Sequence, residues 1–197
     1  MLGQLPQTLT VCGTEYDIRS DFRNILTIIA AYNDDSLSET EKTLVCLRRM
    51  YPDLEQMPRN EETFTAALQA AHTFIECKLS DDRPSPKVVN WEKDEQLIFP
   101  AINKVAGTEV RMVEYMHWWT FLGYFMSVDT DGLWGAVLTI RQKKARGKKL
   151  EKHEKEFLTQ NPELCALETR EVRGTPEDAL RKMFEQLVKE GGADNGG

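Results

Sequence analysis

The stretch EYMHWWTFLGYFMSV, from Glu114 to Val128, decides the fold. Two adjacent tryptophans stand there in a run that is otherwise almost wholly aromatic or aliphatic. On a helix of 3.6 residues per turn, its small and polar residues share one narrow face, and the rest of the circumference is large and apolar. A helix of this kind is buried either by its own domain or by a partner. The stretch is therefore predicted to be a central helix or a docking helix.

The narrow face allows two interpretations of its own. It is formed by His117, Thr120, Gly123, Tyr124 and Ser127. Small residues let another helix approach closely, so the face predicts either internal packing or a seat for a helix of another chain. The candidates for core or partner contact are Trp118, Trp119, Phe121, Tyr124, Phe125 and Met126. The run is too short and too interrupted for a membrane span, which needs about 20 predominantly apolar residues.

The rest of the chain predicts a mainly α fold, a helical domain with a short N-terminal β-hairpin. Leu9, Val11, Tyr16 and Ile18 alternate with polar residues around a turn at 12–15. Beyond the hairpin, apolar residues recur with helical period. The expected helices lie near 20–33, 38–51, 60–75, 91–106, 108–128, 133–146, 150–160 and 174–190, with Ser20, Ser38, Asn60 and Thr108 as caps. Pro100 should kink or split the fourth helix.

Composition divides the chain into four parts. A hairpin with helices occupies 1–78, and a loop or linker rich in Pro, Ser and charge occupies 79–90. The helical region with the central aromatic helix covers 91–190, and a glycine-rich tail, expected to be disordered, covers 191–197.

Charge and cysteine usage indicate a soluble protein of a reducing cytoplasm. The 197 residues carry a net charge of −7, and four scattered cysteines form no CxxC pair. His72, His117 and His153 share no metal-ligand spacing, and the chain has neither a phosphate-binding glycine loop nor a nucleophile elbow. We expect no enzyme activity, no catalytic residues, no metal and no cofactor.

One basic block has several interpretations. It consists of Arg141, Lys143, Lys144, Arg146, Lys148 and Lys149. It could bind phosphate groups of a nucleic acid, contact an acidic protein partner, or be a solvated helix junction whose cations favour a helix C-terminus. The glutamates that follow the block lower its net positive charge, and the chain is acidic overall. Nucleic-acid binding is therefore disfavoured.

Three segments together carry a resemblance. DEQLIFPAINKVAG (Asp94 to Gly107), EYMHWWTFLGYF (Glu114 to Phe125) and IRQKKARGKKLEKHEKEF (Ile140 to Phe157) resemble the bacteriophage "gene product fifteen" family of tailed phages and prophages. The resemblance extends to the opening hairpin, and the glycine tail departs from it. The family offers no catalytic residues to carry over.

The resemblance implies a place in the tail module of a long-tailed phage, near the gene for the tape-measure protein. The first hypothesis is a tail assembly chaperone that covers helices of the tape-measure protein in the host bacterial cytoplasm, with other tail proteins and self-association as further contacts. The alternatives are a tail-completion or connector component of the virion, and a nucleic-acid binder that uses the basic block.

Overall fold

A computed structural model describes residues 3–77 and 88–166. Over these residues the chain is mainly helical with a short N-terminal hairpin, so the predicted fold class is confirmed. The elements are β1 Thr8–Val11, β2 Thr14–Asp17, α1 Phe22–Asn33, α2 Glu39–Met50, α3 Glu61–Ile75, α4 Glu95–Ala106, α5 Trp118–Met126, α6 Leu133–Ala145 and α7 Lys152–Gln160, with short 3₁₀ helices at Leu54–Gln56 and Val110–Met112. Most of the expected linker, the helix at 174–190 and the tail at 191–197 lie outside the described residues.

The hairpin has a tighter turn than the sequence suggested. Val11 pairs with Thr14, so the turn is only Cys12 and Gly13. Both have positive φ angles, 48° and 83°, as a two-residue hairpin turn requires when its twist matches that of the strands. Thr14 and Glu15, which were expected in the turn, therefore belong to β2.

The described residues form two compact units. The first contains residues 3–77 and 117–119, and the second contains residues 88–116 and 120–166. The division passes through α5, between Trp119 and Thr120. A separate linker at 79–90 stays a prediction.

The first unit packs α1, α2 and α3 with the hairpin. Ser38 and Glu41 form the expected capping box, and Asn60 accepts a hydrogen bond from Thr63 N. Asp21, not Ser20, caps α1. The core of this unit includes Phe22, Ile25, Ile28, Cys46, Leu47, Met50, Ala67, Leu68, Ala71 and Phe74. Tyr51 lies among them and donates its hydroxyl proton to the carbonyl of Ala67 at 2.8 Å.

The second unit contains α4, α6 and α7. The expected split at Pro100 is wrong, since α4 runs through this residue as one helix. Pro100 lacks the N–H that would bond the carbonyl of Gln96, and both residues are exposed, so water can satisfy that carbonyl. Gly107 ends α4 in the left-handed conformation, with a φ of 70°.

The aromatic helix is shorter than expected. A 3₁₀ helix follows Thr108, and α5 begins only at Trp118, so Thr108 is not its cap. His117 precedes the helix, so it is not part of a helical face.

Candidate functional site

The two tryptophans are bound to the C-terminal end of α3. Trp118 is buried, and its indole N–H donates to the carbonyl of Ile75 at 2.8 Å. The indole N–H of half-buried Trp119 donates to the carbonyl of Phe74 at 2.9 Å, and its ring stacks on Phe74 with centroids 5.6 Å apart. The last four carbonyls of a helix have no intrahelical donor. The pair therefore caps α3, and Trp118 belongs to the core.

His117 connects the start of α5 to the N-terminal segment. Its Nε2 lies 3.0 Å from the carbonyl of Pro6, and its Nδ1 accepts the backbone N–H of Trp119 at 3.0 Å. A carbonyl can only accept, so Nε2 carries the proton and the ring is neutral. Burial lowers the pKa of His117, against a smaller opposing effect of the Pro6 hydrogen bond. The residue is a structural connection that sequence reasoning had placed on a helix face.

The other aromatic candidates of α5 lie in the second unit. Phe121 is fully buried, with ring centroids 5.9 Å from those of both Trp91 and Phe99. Phe125 is half-buried and lies 4.8 Å from Trp91 and 6.4 Å from Trp134. Tyr124 is half-buried, whereas 63% of Met126 is exposed. The six candidates thus grade from core at Phe121 to open surface at Met126.

The small face of α5 is not a close-packing groove among the described residues. Gly123 is exposed, and a Cβ built on it would have nothing within 4 Å. The Ser127 hydroxyl donates to the carbonyl of Gly123 within the same helix, at 2.8 Å.

An apolar groove of about 460 Å³ lies in the second unit. We name it the α4 groove. One wall is the face of α4 opposite the buried Ile98, Phe99 and Ile102, and the other is the turn between α5 and α6 with the start of α6. Its lining is Gln96, Leu97, Pro100, Ala101, Lys104, Val105, Ser127, Val128, Asp129, Gly132, Leu133 and Trp134.

The α4 groove combines apolar surface with two opposite charges. Leu133 and Val105 line it and are 52% and 37% exposed. Exposed Met126 immediately precedes the lining residue Ser127 in the chain. Lys104 stands on the α4 wall and Asp129 on the opposite wall. Sequence reasoning missed this site, although Leu97, Ala101 and Val105 recur four residues apart on the exposed side of α4 and could have indicated it.

A smaller groove, of about 230 Å³, lies in the first unit. We name it the hairpin groove. Its lining is Pro6, Leu9, Thr10, Ala70, Thr73, Phe74 and Trp119. It holds about half the volume of the α4 groove and contains no charged side chain.

The basic block is not one exposed patch. Arg141 is buried, and its guanidinium donates two hydrogen bonds to Asp94, a pairing that the sequence analysis did not predict. Lys143 donates to Glu154 at 2.6 Å, and this bond is the main cause of the lowered pKa of Glu154. Lys144, Arg146, Lys148 and Lys149 remain exposed. The surface charge available to a phosphate backbone is therefore smaller than six cations suggest.

The described part of the chain shows neither a metal-ligand cluster nor a membrane-spanning helix. Residues 3–77 and 88–166 contain no group of three or more His, Cys, Asp or Glu side chains placed to hold a metal ion. Within the same ranges, no helix has the length and apolar character needed to cross a membrane.

Comparison with known proteins gives one match. A family model described as "Bacteriophage Gp15 protein" matches residues 1–167, which include every described residue. The chain belongs to the bacteriophage Gp15 family. Comparisons with curated proteins and with solved structures found no match. Membership confirms the resemblance drawn from the three segments and makes this a phage protein, and the family match ends before residues 168–197.

Proposed function

We propose that this Gp15 family protein is a non-enzymatic tail assembly chaperone that acts in the host bacterial cytoplasm. Its client would be the tape-measure protein, whose apolar helical segments would bind in the α4 groove. The observation that carries the proposal is the groove itself, an open apolar channel walled by one face of α4.

The apolar lining of the α4 groove suits one face of an amphipathic helix. Helix-in-groove recognition places apolar side chains at positions i, i+3, i+4 and i+7 of the ligand into an apolar channel. Exposed Met126 and Leu133 supply apolar surface beside and within the channel, and the flexible thioether of Met126 can adapt to different side chains. Such adaptability suits a client that presents many non-identical helical segments. The net charge of −7 favours solubility while this surface is open.

The test is co-expression with the tape-measure protein of the same phage. We expect the wild-type chain to keep this client soluble and to be recovered with it. Ala101→Glu and Leu133→Glu place a charge in the apolar channel and should abolish recovery of the client. Leu5→Glu is the matched control, because Leu5 is 44% exposed and lies in the first unit. Equal recovery of the client with all variants would refute the groove as its seat.

Mass spectrometry of purified phage particles separates the chaperone from a structural tail component. A chaperone leaves before the tail is complete, so its peptides should be absent from mature particles. Stoichiometric recovery of the chain with the tail would instead support the tail-completion or connector role. An insoluble client at every expression ratio would refute the chaperone proposal as a whole.

A further inference from the structure

The two walls of the α4 groove carry opposite charges. On the α4 wall, Lys104 is the only charged residue in 96–105, and it is exposed. On the opposite wall, residues 127–134 contain the exposed Asp129 and Asp131 and no cation. The groove is therefore basic along one side and acidic along the other.

Both lining charges are available to a ligand. Within residues 3–77 and 88–166, the side chain of Lys104 has neither a hydrogen bond nor an ion pair. Oδ1 of Asp129 accepts the backbone N–H of Asp131 at 3.3 Å, and its second carboxylate oxygen has no partner in those ranges. The two side chains thus form no ion pair with each other that would bridge the groove.

A helix that lies in the groove presents a different edge to each wall. With its apolar stripe inward, the residues that flank the stripe form a left edge and a right edge. Turning the helix end to end with the stripe still inward exchanges these edges. Walls of like charge would accept both directions equally, whereas walls of opposite charge distinguish them. The α4 wall from Gln96 to Val105 extends about 14 Å at about 1.5 Å per residue, enough for a stripe at i, i+3, i+4 and i+7.

We propose that Lys104 and Asp129 fix the direction in which a helix lies in the α4 groove. The preferred ligand is an amphipathic helix with acidic residues along the edge beside Lys104 and basic residues along the edge beside Asp129. In the reverse direction the same helix places like charges side by side, which is unfavourable. This inference rests on the proposed role of the groove as a seat for client helices. Client segments that share this charge pattern all bind in one direction.

The test uses the full chain and two synthetic helical peptides of identical composition. Each has leucines at i, i+3, i+4 and i+7. One peptide has glutamates along the left edge and lysines along the right, and in the other peptide these edges are exchanged. A nitroxide label at the peptide N-terminus broadens the amide NMR signals nearest to it. We expect one peptide to broaden the signal of Gln96 most strongly and the other that of Val105, because the two bind in opposite directions.

Substitutions in the walls should remove this preference. Lys104→Glu makes both walls acidic, so each peptide should broaden both ends of the groove equally. This variant should also bind a peptide with lysines on both edges about threefold more tightly than the wild type does. Asp129→Asn removes one charge but keeps the oxygen that accepts the N–H of Asp131, so it should weaken the preference without disturbing the turn. The matched control exchanges two exposed charges of α7, Lys155→Glu with Glu156→Lys, and should keep the wild-type preference.

Two results would overturn the proposal and leave the groove in its proposed role. The first is binding of both peptides in the same direction, which would mean that the shape of the groove sets the direction. The second is an unchanged preference in both Lys104→Glu and Asp129→Asn. If neither peptide binds the wild-type chain, the groove is not a seat for helices, and its proposed role fails together with this inference.

Discussion

Arg141 and Asp94 form a buried, two-pronged ion pair. Nη1 lies 2.6 Å from Oδ2 and Nη2 lies 2.8 Å from Oδ1, with the side chains 3% and 2% exposed. The same guanidinium donates to the carbonyls of Val88 and Leu164. Its five N–H donors all have partners, so one side chain joins the first and last described parts of the second unit to the start of α4.

Asp94→Asn should destabilise the protein by about 3–5 kcal/mol, because it leaves the buried Arg141 without its counter-charge. The measurement is the free energy of unfolding from a urea titration. Glu95→Gln is the matched control one residue away, since the ion pair of Glu95 with Arg111 is exposed and 3.5 Å long. It should change stability by less than about 0.5 kcal/mol. Similar losses in both variants would contradict the role given to the buried pair.

The sequence could not reveal this pair. Asp94 and Arg141 are 47 residues apart, and each has an ordinary local explanation, as an acid at a helix start and as a member of a basic block. The fold class and two of the helix caps were predictable because hydrophobic period and capping depend on neighbouring residues. Distant pairs and the opposing walls of a groove depend on tertiary packing, which a single sequence does not contain.

Trp118→Phe should destabilise the protein by about 1–3 kcal/mol, because it leaves the carbonyl of Ile75 without a buried donor. Trp119→Phe should cost less, about 1 kcal/mol, since the carbonyl of Phe74 also accepts the backbone N–H of Cys77 at 3.1 Å and an aromatic ring remains to stack on Phe74. Unfolding titrations measure both values. An equal or reversed order would contradict the assignment of Trp118 to the core.

Trp118 and Trp119 lie where the helix predicted from aromatic composition differs from the structure. A Trp-Trp dipeptide in an apolar run indicates buried area, but it does not indicate what the indole N–H groups bind. The run predicted one long helix, whereas in the structure its first four residues, 114–117, precede α5. His117 and the two indoles connect this point to Pro6 and to the end of α3.

Stability should fall as the pH drops from about 7 towards 5. Burial lowers the pKa of both His72 and His117 in the folded protein. In the window below the normal histidine pKa of about 6.5, the unfolded chain then binds more protons than the folded chain, so acid favours unfolding. Above this window both rings are neutral in both states, and their contribution is fully present. Urea titrations at several pH values measure the slope.

His117→Gln should flatten this slope, because it removes one of the two rings whose pKa is lowered in the fold. His153→Ala is its control, since the side chain of His153 is 75% exposed. An unchanged slope in His117→Gln would show that His117 is not neutral in the fold.

Gly135→Ala and Gly123→Ala should have opposite effects on stability. Each residue lies within a helix, where alanine normally stabilises by up to about 1 kcal/mol relative to glycine. A Cβ on Gly135 would lie 2.5 Å from the Cα of Thr130 and 2.6 Å from its carbonyl carbon, so the backbone before α6 would have to move. We expect a loss of about 1–3 kcal/mol and increased hydrogen exchange at residues 127–134, which form one wall of the α4 groove.

In Gly123→Ala the new Cβ meets no atom within 4 Å, so this variant should gain the stability that alanine normally gives in a helix. A gain in both variants would contradict the close contact between Gly135 and Thr130, and a loss in Gly123→Ala would mean that the small face of α5 is covered.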